Sequence, residues 1–79
     1  MTAQPAIVLD LIGLKCPLPV LRTRKALLEL HAGGVVEVRS SDPLSAVDIP
    51  HLVRELGDRL LAQDEERGIF SFKIEKAAR

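Results

Sequence analysis

The sequence predicts an α/β (α+β) fold, a two-layer sandwich in which two helices cover one face of a mixed four-stranded sheet. Three observations lead there. Short runs of apolar residues alternate with polar ones, as strands require. Two longer stretches between them repeat at helical spacing. Glycine or proline stands near most changes of period. The resulting order is β-α-β-α-β-β.

Ile7-Val8-Leu9-Asp10-Leu11 reads as the first strand, with Ile7, Leu9 and Leu11 on one face. Gly13 breaks it. Cys16 is then expected as the N-cap of a helix and Pro17 as its first residue, where a missing N–H costs nothing. The helical pattern runs to about Leu30. Val20, Leu21, Leu27 and Leu28 form its expected apolar face, and Arg22, Lys25 and Glu29 its solvated one. Gly33-Gly34 ends the helix, and His31 near that end suits the negative end of the helix dipole.

Val35-Val36-Glu37-Val38-Arg39 reads as the second strand, alternating apolar and charged. Ser41-Asp42-Pro43 is a capping signal, with Asp42 the expected cap. Ile49, Leu52, Val53 and Leu56 form the apolar stripe of a second helix closed by Gly57. Pro50 is awkward in a helix interior, so regular helix is expected only from near Asp48. Arg59 to Gln63 reads as a third strand, Asp64 to Gly68 as a charged turn, and Ile69 to Glu75 as a fourth strand whose Phe70, Phe72 and Ile74 face the core. A right-handed crossover makes the first two strands parallel. The short turn makes the last two an antiparallel hairpin. This topology puts the amino ends of both helices at one sheet edge, so Cys16 and the Asp42–Asp48 region are expected to border one surface.

Seventy-nine residues form a single domain, 1–79. Residues 1–6 and 77–79 are expected to be flexible. A chain this short buries about 60% of its unfolded surface, so a shallow surface site is expected. Lysine plus arginine balance aspartate plus glutamate at 11 each. No basic excess points to nucleic acid. No long apolar run points to a membrane or a leader, so a cytoplasmic location is expected. A monomer is expected.

There is one cysteine. It can form no internal disulfide, no cysteine zinc cluster and no two-thiol redox motif. No metal and no cofactor are expected, and any thiol chemistry must be completed by a partner molecule. The run Leu14-Lys15-Cys16-Pro17-Leu18-Pro19 places that thiol between a strand and a helix start, where the dipole and Lys15 favour the thiolate. Pro17 and Pro19 fix φ on either side of Leu18 and stiffen the turn. A lone cysteine is also readable as a small apolar residue packed at a strand end. Asp10 could orient the turn through an Asx-type bond. Lys15, Arg22, Arg24 and Lys25 could form a basic collar for an acidic partner, or simply a solvated helix face. His51 could lie near the thiol edge, or be a surface or capping histidine.

The stretch from Leu9 through Gly13-Leu14-Lys15-Cys16-Pro17-Leu18-Pro19 to Thr23-Arg24-Lys25 resembles the TusA/SirA-like family of sulfur carriers, whose hallmark is Cys-Pro-X-Pro. Ser41-Asp42-Pro43 and Asp48-Ile49-Pro50 match two further landmarks, so the likeness spans about Val8 to Lys76. The resemblance implies the same β-α-β-α-β-β fold. It also implies that Cys16 accepts sulfane sulfur as a persulfide from a donor, either a cysteine desulfurase or a rhodanese-like protein. The sulfur then passes to an acceptor protein in a relay such as tRNA thiolation, molybdenum-cofactor maturation or sulfur oxidation. This chain has Ile12 where many members have arginine, and lacks the further cysteine some carry near Val53. A regulatory binding module and a one-cysteine redox sensor are the alternative readings.

Overall fold

The computed structural model describes residues 7–77. It contains β1 (Ile7–Leu11), α1 (Leu18–Glu29), β2 (Val35–Ser40), α2 (Ser45–Leu56), β3 (Arg59–Glu66) and β4 (Ile69–Glu75). The sheet order is β1-β2-β4-β3. β1 runs parallel to β2, while β4 is antiparallel to both β2 and β3. The expected α+β architecture, element order and strand directions are therefore the observed ones.

Period-two alternation builds the core. Val36 pairs with Ile74 and Val38 with Phe72, and all four are fully buried. Leu11 of β1, Leu27 of α1, and Ile49 and Val53 of α2 complete the cluster, so both helices close over one sheet face. Burying each such side chain stabilises the fold by roughly 1.5–3 kcal/mol. The opposite face carries Glu37, Arg39 and Lys73, with Arg39 Nε donating to Glu37 Oε2 at 3.1 Å.

Three boundaries and one helix face differ from expectation. The buried seam of α1 is Pro19, Thr23 and Leu27, four residues apart, while Leu21 and Leu28 are exposed. Leucine spacing alone shows an apolar strip, but the sheet and α2 decide which strip is covered. Regular helix begins at Ser45, three residues before Asp48, with Pro50 inside α2. Pro50 has no N–H for the carbonyl of Ala46 four residues back. Gln63 Nε2 donates to that carbonyl at 3.3 Å instead. A bulge between Leu60 and Ala62 turns Gln63 to the helix side, opposite Phe72.

The third strand runs on through Asp64, Glu65 and Glu66, so the turn shrinks to Arg67-Gly68. Both turn residues have positive φ, 53° and 81°, as a two-residue hairpin demands, and glycine takes the second position without strain. The acidic residues are tolerated because β3 is an edge strand, where charge discourages further strand pairing.

At the other end of α1, a cation from beyond the last strand meets the carbonyls. Lys76, beyond β4, donates from Nζ to Leu27 O at 2.7 Å. Lys76 N–H also bonds Gly34 O, and Ala77 N–H bonds Asp58 Oδ1 at 3.0 Å. The expectations for residues 1–6, 78 and 79 lie outside the described residues.

Candidate functional site

Two loops leave the same edge of the sheet. One follows β1 and holds Cys16; the other follows β2 and leads into α2. The first loop is shaped by local bonds. Ile12 N–H donates to Asp10 Oδ1 at 3.1 Å, the expected Asx-type contact. Leu14 N–H donates to Leu11 O at 3.1 Å. Gly13 has φ +92°, a left-handed conformation that a side chain would strain.

Cys16 is exposed, so it is not an apolar residue packed at the strand end. Its place differs slightly from the expected N-cap. The helix begins at Leu18, Pro17 is the N-cap with φ −96° and ψ 11°, and no side chain caps the helix. The Cys16–Pro17 peptide is cis, and Leu18 N–H closes a tight turn on Lys15 O at 2.9 Å. That amide is thus engaged by a carbonyl rather than turned to the sulfur. Pro17 and Pro19 have no N–H to offer. The sulfur therefore sits ahead of the helix start, on the residue before the N-cap.

Its contacts come from the second loop and α2. Cys16 N–H donates to Asp42 Oδ2 at 2.6 Å, and Gly13 N–H donates to Ser41 Oγ at 2.9 Å. The Cys16 thiol reaches Asp48 Oδ2 at 3.9 Å, within range for a weak sulfur donor. Asp42 is not the N-cap of α2, whose cap position is Leu44. Its Oδ1 instead accepts from Leu44 N–H at 3.0 Å, leaving Oδ2 for the cysteine. Beneath it, Ser40 Oγ accepts from Asp42 N–H at 3.2 Å and shares a 2.7 Å bond with Ser45 Oγ. The two serine residues are buried, which anchors the second loop in the core.

A groove of about 180 Å³ opens beside the sulfur, between Pro17 and Val20 of the first loop and helix and Asp48, His51, Leu52 and Glu55 of α2. His51 does lie at the thiol edge, 3.6 Å from Glu55 across one helical turn. The four expected cations are exposed but do not form one collar. Lys15 faces a separate hollow with Gly13, Ser41 and Asp42. Arg22 and Arg24 are two residues apart on α1 and so leave the helix in nearly opposite directions. Only Arg22 and Lys25 have the three-residue spacing of neighbours. The wall nearest the thiol is acidic rather than basic. Among the described residues, no group of three or more His, Cys, Asp or Glu is placed to hold a metal, and no helix is long and apolar enough to cross a membrane.

Sequence reasoning located Cys16, Gly13, Pro17 and Pro19, and from the parallel first two strands it expected the Asp42–Asp48 region to border the same surface, as it does. It did not find the contacts themselves, Asp42 on the Cys16 amide and Asp48 at the thiol, because a shared sheet edge sets neighbourhood but not which side chain reaches which atom.

An exposed single thiol, mounted on a proline-braced turn over a two-layer α+β domain, defines a small one-cysteine domain built to meet a partner rather than enclose a substrate. The comparisons agree. The family model described as Sulfurtransferase TusA matches residues 7–76. A sulfur carrier protein TusA from Pseudomonas entomophila is 46% identical over 70 residues, covering 89% of this chain and 88% of the relative. A putative sulfur carrier protein from Archaeoglobus fulgidus is 43% identical over 66 residues, covering 82% and 86%. The crystal structure of a SirA-like protein from Desulfitobacterium hafniense superposes with a TM-score of 0.79 at 32% identity, over 91% of this chain and 99% of that one. The chain belongs to the TusA family.

Proposed function

We propose that this chain is a sulfur carrier whose Cys16 accepts sulfane sulfur as a persulfide from a donor protein and passes it to an acceptor protein. The observation that carries the reading is the exposed Cys16 on its rigid turn, in a chain with no second thiol. A fixed, open sulfur suits exchange with another protein's sulfur, because access governs such reactions.

In the loading step the Cys16 sulfur attacks the outer sulfur of the donor's persulfide. A new S–S bond forms on Cys16 as the donor's S–S bond breaks. The donor leaves as a thiolate and takes up the proton that Cys16 gives up. Asp48 Oδ2 is the acceptor nearest that hydrogen. Unloading is the same exchange in reverse sense: the acceptor's thiolate takes the outer sulfur and Cys16 departs with the electron pair. No oxidant or reductant is consumed, and no cofactor is required of this chain.

Donors of the cysteine desulfurase or rhodanese type, and acceptors serving tRNA thiolation, molybdenum-cofactor maturation or sulfur oxidation, fit this chemistry. Lys15 at its own hollow, Arg22 and Lys25 as neighbours on α1, and Arg24 apart from them are the cations that would steer an acidic partner. The proposed setting is the cytoplasm and the proposed state a monomer.

Incubation with a cysteine desulfurase, cysteine and PLP should add the mass of one sulfur atom to the intact protein. The adduct should disappear on reduction and be absent in Cys16→Ala. Absence of the adduct with desulfurase and rhodanese donors alike would refute the reading.

A further inference from the structure

The polar support of the cysteine turn is shared between its own neighbourhood and another part of the chain. The Ile12, Leu14 and Leu18 amides donate to Asp10 Oδ1, Leu11 O and Lys15 O, but the Cys16 amide does not bond within its own loop. That amide is held by Asp42, 26 residues away, at 2.6 Å, a length typical of strong charge-assisted bonds. Asp42 is in turn fixed by two further bonds, one to its carboxylate and one from its backbone amide. Leu44 N–H takes Oδ1, and Asp42 N–H rests on the buried Ser40–Ser45 pair. Asp42 is therefore anchored independently of the loop it holds. Both of its oxygens are engaged by backbone amides, each on a different segment.

We infer that Asp42 is the positioning residue for Cys16 in sulfur transfer. Through the Cys16 amide it holds the cysteine turn to the sheet edge, and so sets where the sulfur stands relative to the groove and Asp48. This rests on the carrier reading for its function, but the tether itself does not depend on that reading. Its role differs from a helix cap. The Asx-type bond from Leu44 uses only Oδ1 and would leave the second oxygen free. Misplacing a reacting atom by a fraction of an ångström slows a transfer without necessarily weakening partner binding. Ser41, which takes the Gly13 amide, supports the same loop one turn earlier.

Asp42→Asn separates the two roles. The asparagine Oδ1 can keep the Leu44 bond, and its NH2 then faces the Cys16 N–H, donor against donor. In the wild-type protein, hydrogen exchange followed by NMR should show the Cys16 amide exchanging at least about tenfold more slowly than an unbonded exposed amide, although the residue is exposed. In Asp42→Asn that protection should vanish and the Cys16 amide resonance should shift. With a desulfurase pre-loaded with sulfur, single-turnover loading of Cys16 should fall about tenfold at saturating donor. The half-saturating donor concentration should stay within about twofold.

The outcomes are distinguishable. An unprotected Cys16 amide in the wild type overturns the tether without any variant, so the test survives if Asp42→Asn fails to fold. A folded Asp42→Asn protein that loads sulfur at the wild-type rate also overturns it, while leaving the carrier reading intact. If the wild type takes no sulfur but its Cys16 amide is protected and freed by the variant, the carrier reading fails and the tether stands.

Discussion

The two helix starts of this domain are built on opposite plans. α2 begins over its own polar support: Asp42 bonds Leu44, Ser40 meets Ser45 in the core, and Asp48 lies in the first turn. Neither helix has a side-chain cap bond, but α1 begins with prolines at the cap and second positions and has no acidic residue in its first turn. Its exposed cysteine is steadied by the other start. The lesson is a division of labour. The segment that must present a reactive sulfur is kept free of capping groups that would compete for it, and the neighbouring segment supplies rigidity at a distance.

The harshest way to break this pairing is to remove the floor beneath both starts. Phe72→Ala empties a fully buried site and should destabilise the fold by about 3–5 kcal/mol, read from urea unfolding. Both helices should loosen together, and Cys16 should alkylate faster only as the population unfolds. A narrower break is Ser40→Ala. It leaves the buried Ser45 hydroxyl and the Asp42 amide without their partner, for a loss of about 1–3 kcal/mol. The informative readout is the Cys16 amide, whose protection should fall although the substitution lies in β2.

Gln63→Ala sharpens the comparison by touching α2 alone. It frees the Ala46 carbonyl opposite Pro50, and exposure to water limits the expected loss to about 0.5–1 kcal/mol. Exchange should quicken in the first turns of α2 while Cys16 is unaffected. The smallest effect belongs to Leu28→Ser on the uncovered side of α1, within about 0.5 kcal/mol in thermal unfolding. A larger loss there would mean that α1 is covered by something in solution, contrary to the expected monomer.

Much of this was legible in one dimension. The alternation of Phe70, Phe72 and Ile74 marked the central strand, because each residue's face is set by its neighbours in sequence. Gly13 and the Cys-Pro-X-Pro run marked the reactive turn, because proline and glycine restrict the backbone locally. The start of α2 was misjudged because the remedy for Pro50 lies on β3, 17 positions from the carbonyl it serves. The exposed side of α1 was misjudged because Leu21 and Leu28 look as apolar as Leu27 until the sheet selects one stripe.

The amino-acid order by itself determined the element types, the parallel and antiparallel pairings and the identity of the lone sulfur. These follow from side-chain period, chirality and backbone restriction, all of which act over a few residues. Tertiary structure alone decided that an acidic wall stands beside that sulfur, that Asp42 grips its amide and that Lys76 closes the far end of α1. Hydrogen bonds and charge pairs form only between groups brought within about 3–4 Å, and that proximity comes from the packed sheet edge rather than from spacing along the chain.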